Sequence, residues 1–154
     1  MSGRPAGLAS GDLTAPPHGG LANVVVVDTD VLSFWQKKDS RGSDYGRAVA
    51  GSTLVTSFQT VAEQLRWAAQ RNWSSQRRNP LEDYLRQFIV YPYSIALARK
   101  WAEIMAGTSR AGKTMGAGDA WVAATARLLD APLATHNRRH FESVPDLALV
   151  TFAP

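Results

Sequence analysis

"NVVVVDTDVLSF", Asn23 to Phe34, decides the fold. Four successive valines are β-branched and show no polar alternation, the pattern of a parallel strand covered on both faces. Two acids follow at once, Asp28 and Asp30. In open parallel sheets, functional groups collect beyond the carboxyl ends of the strands, and Asp28 stands at that place. Asp30 has an alternative role as cap of a short helix over "VLSFW". An acid closing a wholly apolar strand has no comparable packing role.

The rest of the chain continues the alternation of short apolar runs and helical periodicity expected of an α/β domain. "STLVTS" (52–57), "QFIVYPY" (87–93, closed by Pro92) and "APLATH" (131–136) read as three more strands, and "LALVTF" (147–152) as a fifth at the sheet edge. Between them, Ser57 caps a predicted helix through Ala69, with Phe58, Val61, Ala62, Leu65 and Ala69 on one stripe. A shorter basic helix is predicted from about Pro80 to Arg86. Ser94 caps another, carrying Leu97, Trp101, Ile104 and Met105, and Gly118 or Asp119 opens a last one through Leu129.

The 154 residues fit one domain, and 45 % apolar content suffices for one core. Residues 1–22, rich in Gly and Pro, read as a flexible tail, leaving residues 23–154 as the domain. There is no cysteine, which excludes disulfides and Cys-based zinc and points to a reducing cytoplasm. No purely apolar run is long enough to cross a membrane, and Val24–Val27 spans only four residues. A formal charge of +4 and a pI near 9.8 favour a polyanionic partner. "RWAAQRNWSSQRR" sets Arg66, Arg71, Arg77 and Arg78 around Trp67 and Trp73, a pairing that suits nucleic acid as well as a solvated helix end.

One motif misleads. Gly107 to Thr114, "GTSRAGKT", satisfies the phosphate-loop pattern, but the residues before it have helical periodicity and two more glycines follow. The segment reads instead as a flexible loop between helices, with Arg110 and Lys113 available to a substrate backbone and no nucleotide bound. Three carboxylates carry the functional reading. Glu63 lies roughly 100–140° from the apolar stripe of its helix. Asp119 shares a face with Val122, Ala123 and Ala126, so it points inward, as a first-turn acid or as a ligand. Thr135, His136 and Asn137 emerge at the same sheet edge as Asp28. His136 and His140 read as ordinary surface histidines.

"VVDTDVLSF", "VTSFQTVAEQLRWA" and "GAGDAWVAATARLLDAPLATHNRRHFESVPDLALV" together resemble the PIN domain, specifically the VapC-type ribonuclease toxins, over about residues 24–152. The resemblance implies a three-layer α/β/α domain with a central, mostly parallel sheet of four to five strands. It implies an endoribonuclease leaving 5′-phosphate and 3′-hydroxyl ends, with Asp28, Glu63 and Asp119 as active-site acids. Asn137 falls where many relatives place a fourth acid. Two carboxylates about 4 Å apart repel by about 4 kcal/mol at an effective dielectric of 20, so such a cluster calls for a cation. Oxygen ligands favour Mg²⁺ or Mn²⁺. Asp28 and Asp119 are expected as direct ligands, with Glu63 acting through water and Thr135, Asn137 and Asp30 in support. Arg66, Arg71, Arg77, Arg78, Arg110, Lys113, Arg138 and Arg139 are expected to hold the RNA backbone. The same resemblance implies an inhibitory antitoxin and a homodimer with Trp35, Trp67 and Trp73 as candidate contact rings. Two rival readings are a haloacid-dehalogenase-like phosphatase, with Asp28 as nucleophile, and a non-catalytic PIN-fold protein-binding module.

Overall fold

The computed structural model describes residues 23–154, so the proposed tail at 1–22 lies outside the described residues. Five strands form one sheet, all parallel, in the order β3-β2-β1-β4-β5. They are β1 (Val24–Val27), β2 (Thr53–Ser57), β3 (Ile89–Tyr91), β4 (Leu133–Ala134) and β5 (Leu149–Val150). The last three are shorter than their apolar runs. Pro92 has no N–H to extend β3, and Pro132 precedes β4, contributing only its carbonyl, which accepts from Val26 N at 3.0 Å.

The valine run works as its composition requires. Val26 faces a core with Leu133, Ile104, Val122 and Phe141, while Val25 and Val27 face a second core with Val31, Leu32, Tyr45 and Leu81. Successive side chains of a strand point to opposite faces, so a central strand without polar residues must be covered twice. On the second face lie α1 (Thr29–Gln36), α2 (Gly42–Ala48) and α4 (Ser75–Leu85). The first is covered by α5 (Ile95–Arg110) and α6 (Ala117–Leu128), with the short α7 (Arg138–Phe141) beside them. Helix α3 (Phe58–Gln70) reaches both cores, through Phe58 and Ala68. This is the three-layer α/β/α arrangement.

Several sequence expectations need correction. The apolar stripe assigned to α3 is rotated: Ala62, Leu65 and Ala69 are exposed, and the buried positions are Thr60, Gln64 and Ala68. Hydrogen bonds decide this, because Thr60 meets Thr29 and Gln64 donates to Ser33 Oγ at 3.2 Å. Helix α4 begins five residues before Pro80 and carries that proline inside it. Helices α2 and α7 had no strong periodic signal, since each is short and polar.

The phosphate-loop pattern does not form such a loop. Gly107 to Arg110 are the last turn of α5, and no strand precedes them. The backbone N–H groups of Ala111, Gly112 and Lys113 bond to α5's own carbonyls at Gly107, Ser109 and Thr108, so none is aimed at an anion. Gly112 takes φ +71°, ending the helix in a left-handed turn. The connection before α6 is therefore shorter than the loop expected from the glycines. Among the described residues no helix is long and apolar enough to cross a membrane.

Candidate active site

Strand order places the site. From β1 the chain moves outward through β2 to β3, then returns to lay β4 against the other side of β1. The carboxyl ends of β1 and β4 thus flank a topological switch point, where a crevice opens in sheets of this kind. Asp28 and Thr135 are the residues that follow those two strands.

Asp28 is buried, at 5 % exposure. Its Oδ1 accepts from Thr29 N at 2.8 Å, making it the N-cap of α1, and its Oδ2 accepts from the Thr135 hydroxyl at 2.7 Å. Asp28, not Asp30, caps that helix. Burial raises the Asp28 carboxyl from 3.8 to about 7, and the charges of Asp30 and Asp119 push the same way, against the two hydrogen bonds. Asp30 accepts from Val31 N at 2.7 Å and from His136 N at 3.0 Å, so it ties α1 to the turn after β4. Its carboxyl is raised as well, chiefly by burial.

Glu63 is not a solvated surface acid. Its Oε2 accepts from the Thr29 hydroxyl at 2.9 Å and its Oε1 from Gln59 Nε2 at 3.0 Å. Gly118, one residue before Asp119, lies directly against it: a Cβ there would come within 3.1 Å of Glu63 Oε1 and 3.0 Å of Gln59 Nε2. The amino end of α6 therefore sits on Glu63 because position 118 has no side chain. Asp119 lies in the first turn of α6, where the helix dipole favours an anion. Stacked Trp101 and Trp121 hold that end of α6, and Trp101 Nε1 donates to Ala117 O at 3.1 Å.

The structure thus brings Asp28, Asp30, Glu63, Asp119 and Thr135 to one end of the sheet. Asn137 is exposed at the start of α7, its backbone N donating to Thr135 Oγ1 at 3.0 Å. Arg138 and Arg139 line an opening of about 440 Å³ with His136, Asn137 and His140. Arg66 is one turn beyond Glu63, and Lys113 and Arg110 lie on the approach to α6. Arg71, Arg77 and Arg78 are at the far end of α3 and the start of α4, away from the acids.

His136 departs from the surface role expected of it, while His140 keeps an exposed position. His140 Nδ1 lies 2.9 Å from Asp119 Oδ2. The His136 ring packs edge-on against Phe34 and Tyr45 and meets the Tyr45 hydroxyl at 2.9 Å. Thr29 and Gly118 carry no local signal for these contacts, since each acts on Glu63 from a remote part of the sequence, whereas Gln59 stands one turn before Glu63 on the same helix.

The family model described as "PIN domain" matches residues 25–147. The chain belongs to the PIN domain family. It is 30 % identical over 129 residues to VapC ribonuclease Y4jK of Sinorhizobium fredii, covering 78 % of this chain and 91 % of that one. It is 26 % identical over 129 residues to ribonuclease VapC1 of Haemophilus influenzae, covering 80 % and 94 %. Among solved structures, VapBC2 from Rickettsia felis, bound to a DNA fragment from its promoter, superposes with a TM-score of 0.74 at 19 % identity, over 84 % of this chain and 98 % of that one. Within the PIN family this is a VapC-type domain. Membership of the PIN family sets aside the phosphatase reading, in which Asp28 would be the attacking nucleophile.

The donor chemistry fits a hard divalent cation: the groups around Asp28 are carboxylates and hydroxyls, with the His140 imidazole beside Asp119. A buried carboxyl held up to about 7 by burial and by neighbouring acids is relieved by positive charge. Among the described residues no three His, Asp or Glu side chains form a ready-made metal cluster.

Proposed function

We propose that this PIN domain is a metal-dependent endoribonuclease, the toxin of a toxin–antitoxin pair. The observation that carries the reading is Asp28 at the β1/β4 switch point, buried among acids that raise its carboxyl. Asp28 and Asp119 would hold Mg²⁺ or Mn²⁺, which when bound supplies Lewis-acid polarisation of a phosphate oxygen. Thr135 and the Thr29 backbone fix the rotamer of Asp28. Thr29 and Gln59 fix Glu63, whose carboxylate is oriented to take the proton of an attacking water. Asn137, Arg138 and Arg139 border the opening and position the phosphate. Water attacks phosphorus in line, the P–O3′ bond breaks, and the products carry 5′-phosphate and 3′-hydroxyl ends.

Relatives named as VapC ribonucleases and as VapBC complexes support this reading, as does the shared fold. They support an antitoxin partner too, whose inhibitory segment would offer an arginine to the acids. A homodimer belongs to the same proposal. Asp28→Asn and Asp119→Asn should each abolish Mg²⁺-dependent cleavage of RNA while the circular dichroism spectrum is unchanged. Equal cleavage by all three proteins would overturn the assignment and favour a protein-binding module.

A further inference from the structure

Gln59 holds Glu63 with only part of its amide. It stands in the first turn of α3, just past the carboxyl end of β2, and so at the same end of the sheet as Asp28. The helix cap fixes its backbone, Gln59 N donating to Ser57 Oγ at 3.1 Å. One turn on, Glu63 Oε1 accepts from Gln59 Nε2 at 3.0 Å. A carboxylate offers only acceptors, so the amide must turn its nitrogen toward Glu63 and its carbonyl elsewhere. Among the described residues that carbonyl oxygen has no hydrogen-bond partner. No buried side-chain oxygen among them lacks a partner, so the Gln59 carbonyl is open to water. The amide also lies along Gly118, where an added Cβ would come within 3.6 Å of Gln59 Cδ. It therefore borders the crevice between α3 and the end of α6 that carries Asp119.

A water attacking phosphorus is aligned when each of its two protons has an acceptor, because a lone pair then points along the line of attack. Glu63 supplies one acceptor. We propose that Gln59 is a further catalytic residue, its side-chain carbonyl accepting a hydrogen bond from the second proton. This rests on the ribonuclease reading and adds to the same site the group that sets the direction of attack. The water oxygen bonds to phosphorus, one proton passes to Glu63, and the other stays on the new phosphate oxygen. The P–O3′ bond breaks, O3′ keeps the bonding pair and takes a proton from solvent, and Glu63 returns its own proton to solvent. Phosphoryl-transfer sites use a glutamine in this way to orient water. An amide suits the place, since it accepts without adding a further negative charge beside Asp28, Glu63 and Asp119.

The test uses the full chain and an oligoribonucleotide spanning a site that the wild type cuts in total RNA, in buffer containing methanol. Methanol has one O–H, so its attack leaves a 5′-methyl phosphate and sets a methyl group against the Gln59 carbonyl. The wild type should yield almost only 5′-phosphate ends by mass spectrometry, because a site built to hydrogen-bond a group rejects the analogue lacking it. Gln59→Leu should lower kcat about 100-fold, as a misplaced nucleophile does, with KM nearly unchanged. It should also raise the share of 5′-methyl phosphate ends about tenfold or more. Gln59→Met, close in length to the native side chain, should behave alike. Thr29→Val, which removes the other donor to Glu63, should slow cleavage without changing that share. An unchanged share in both Gln59 variants overturns the proposal, whatever their rates, and leaves Gln59 as a support for Glu63. A raised Mg²⁺ requirement with an unchanged share would place the carbonyl on the cation and overturns it too. Both of those results leave the ribonuclease reading standing. A folded wild type that cuts no RNA removes that reading, and the role of Gln59 with it.

Discussion

At the residue scale, Asp28 carries a strain that the fold tolerates. The unfolded chain releases its proton near 3.8, whereas the folded carboxyl holds it to about 7. Between those values the native state binds the extra proton, so stability falls as pH rises through the window and stays low above it. Asp28→Asn removes the titration. In EDTA its unfolding free energy should match the wild type near pH 4 and exceed it at pH 8, by a margin on the order of 4 kcal/mol at most. A margin that does not grow with pH would show that Asp28 is not held protonated. Thr135 donates to the same carboxylate from full burial. Thr135→Val should reduce cleavage roughly 10- to 100-fold, the cost of losing an orienting partner, while Thr135→Ser keeps most of it. Rates for the three proteins under one Mg²⁺ concentration check this.

Elements, not residues, decide whether Glu63 meets the helix that carries Asp119. Helix α6 can approach α3 because Gly118 has no Cβ, and Gln59 and Glu63 fill the space it leaves. Alanine at 118 gains up to about 1 kcal/mol of helix propensity and displaces two flexible side-chain ends. Gly118→Ala should therefore change stability by less than about 1 kcal/mol while slowing cleavage about tenfold. Thermal melts beside turnover measurements separate the two effects, and a rate equal to wild type would remove Gly118 from the site's design. At this scale the sequence is unevenly legible. The valine strand and the Ser57 and Ser94 caps were plain, because one local periodicity and one capping hydroxyl suffice. The face of α3 was misread, since its buried positions are Thr60 and Gln64, which a hydrophobic count assigns to solvent.

Across the whole molecule, the buried Tyr45 joins parts far apart in the chain. Its hydroxyl lies 3.1 Å from Thr135 O, 2.9 Å from His136 Nδ1 and 3.0 Å from Phe152 N. It closes α2 against the turn after β4 and the C-terminal segment, and so holds the frame around Asp28. Tyr45→Phe leaves those groups without their common partner inside the protein, and should cost about 1–3 kcal/mol in chemical denaturation with the same m-value. A neutral substitution would mean that Asp28, Asp30 and Thr135 hold the turn after β4 without it.

By itself the sequence determined the α/β class, the strand that anchors the sheet and the failure of the phosphate-loop pattern, and it singled out Asp28, Glu63 and Asp119 as candidate acids. Each of those rests on local composition, periodicity or an ordered set of motifs. Only the tertiary structure decided that Glu63 hangs from Thr29 and Gln59, that His140 reaches Asp119, and that Trp35, Trp73 and Tyr84 wall one cavity. Those contacts, apart from Gln59 to Glu63, join residues brought together only when the return from β3 to β4 closes the sheet or when helices pack side by side. No local pattern encodes them.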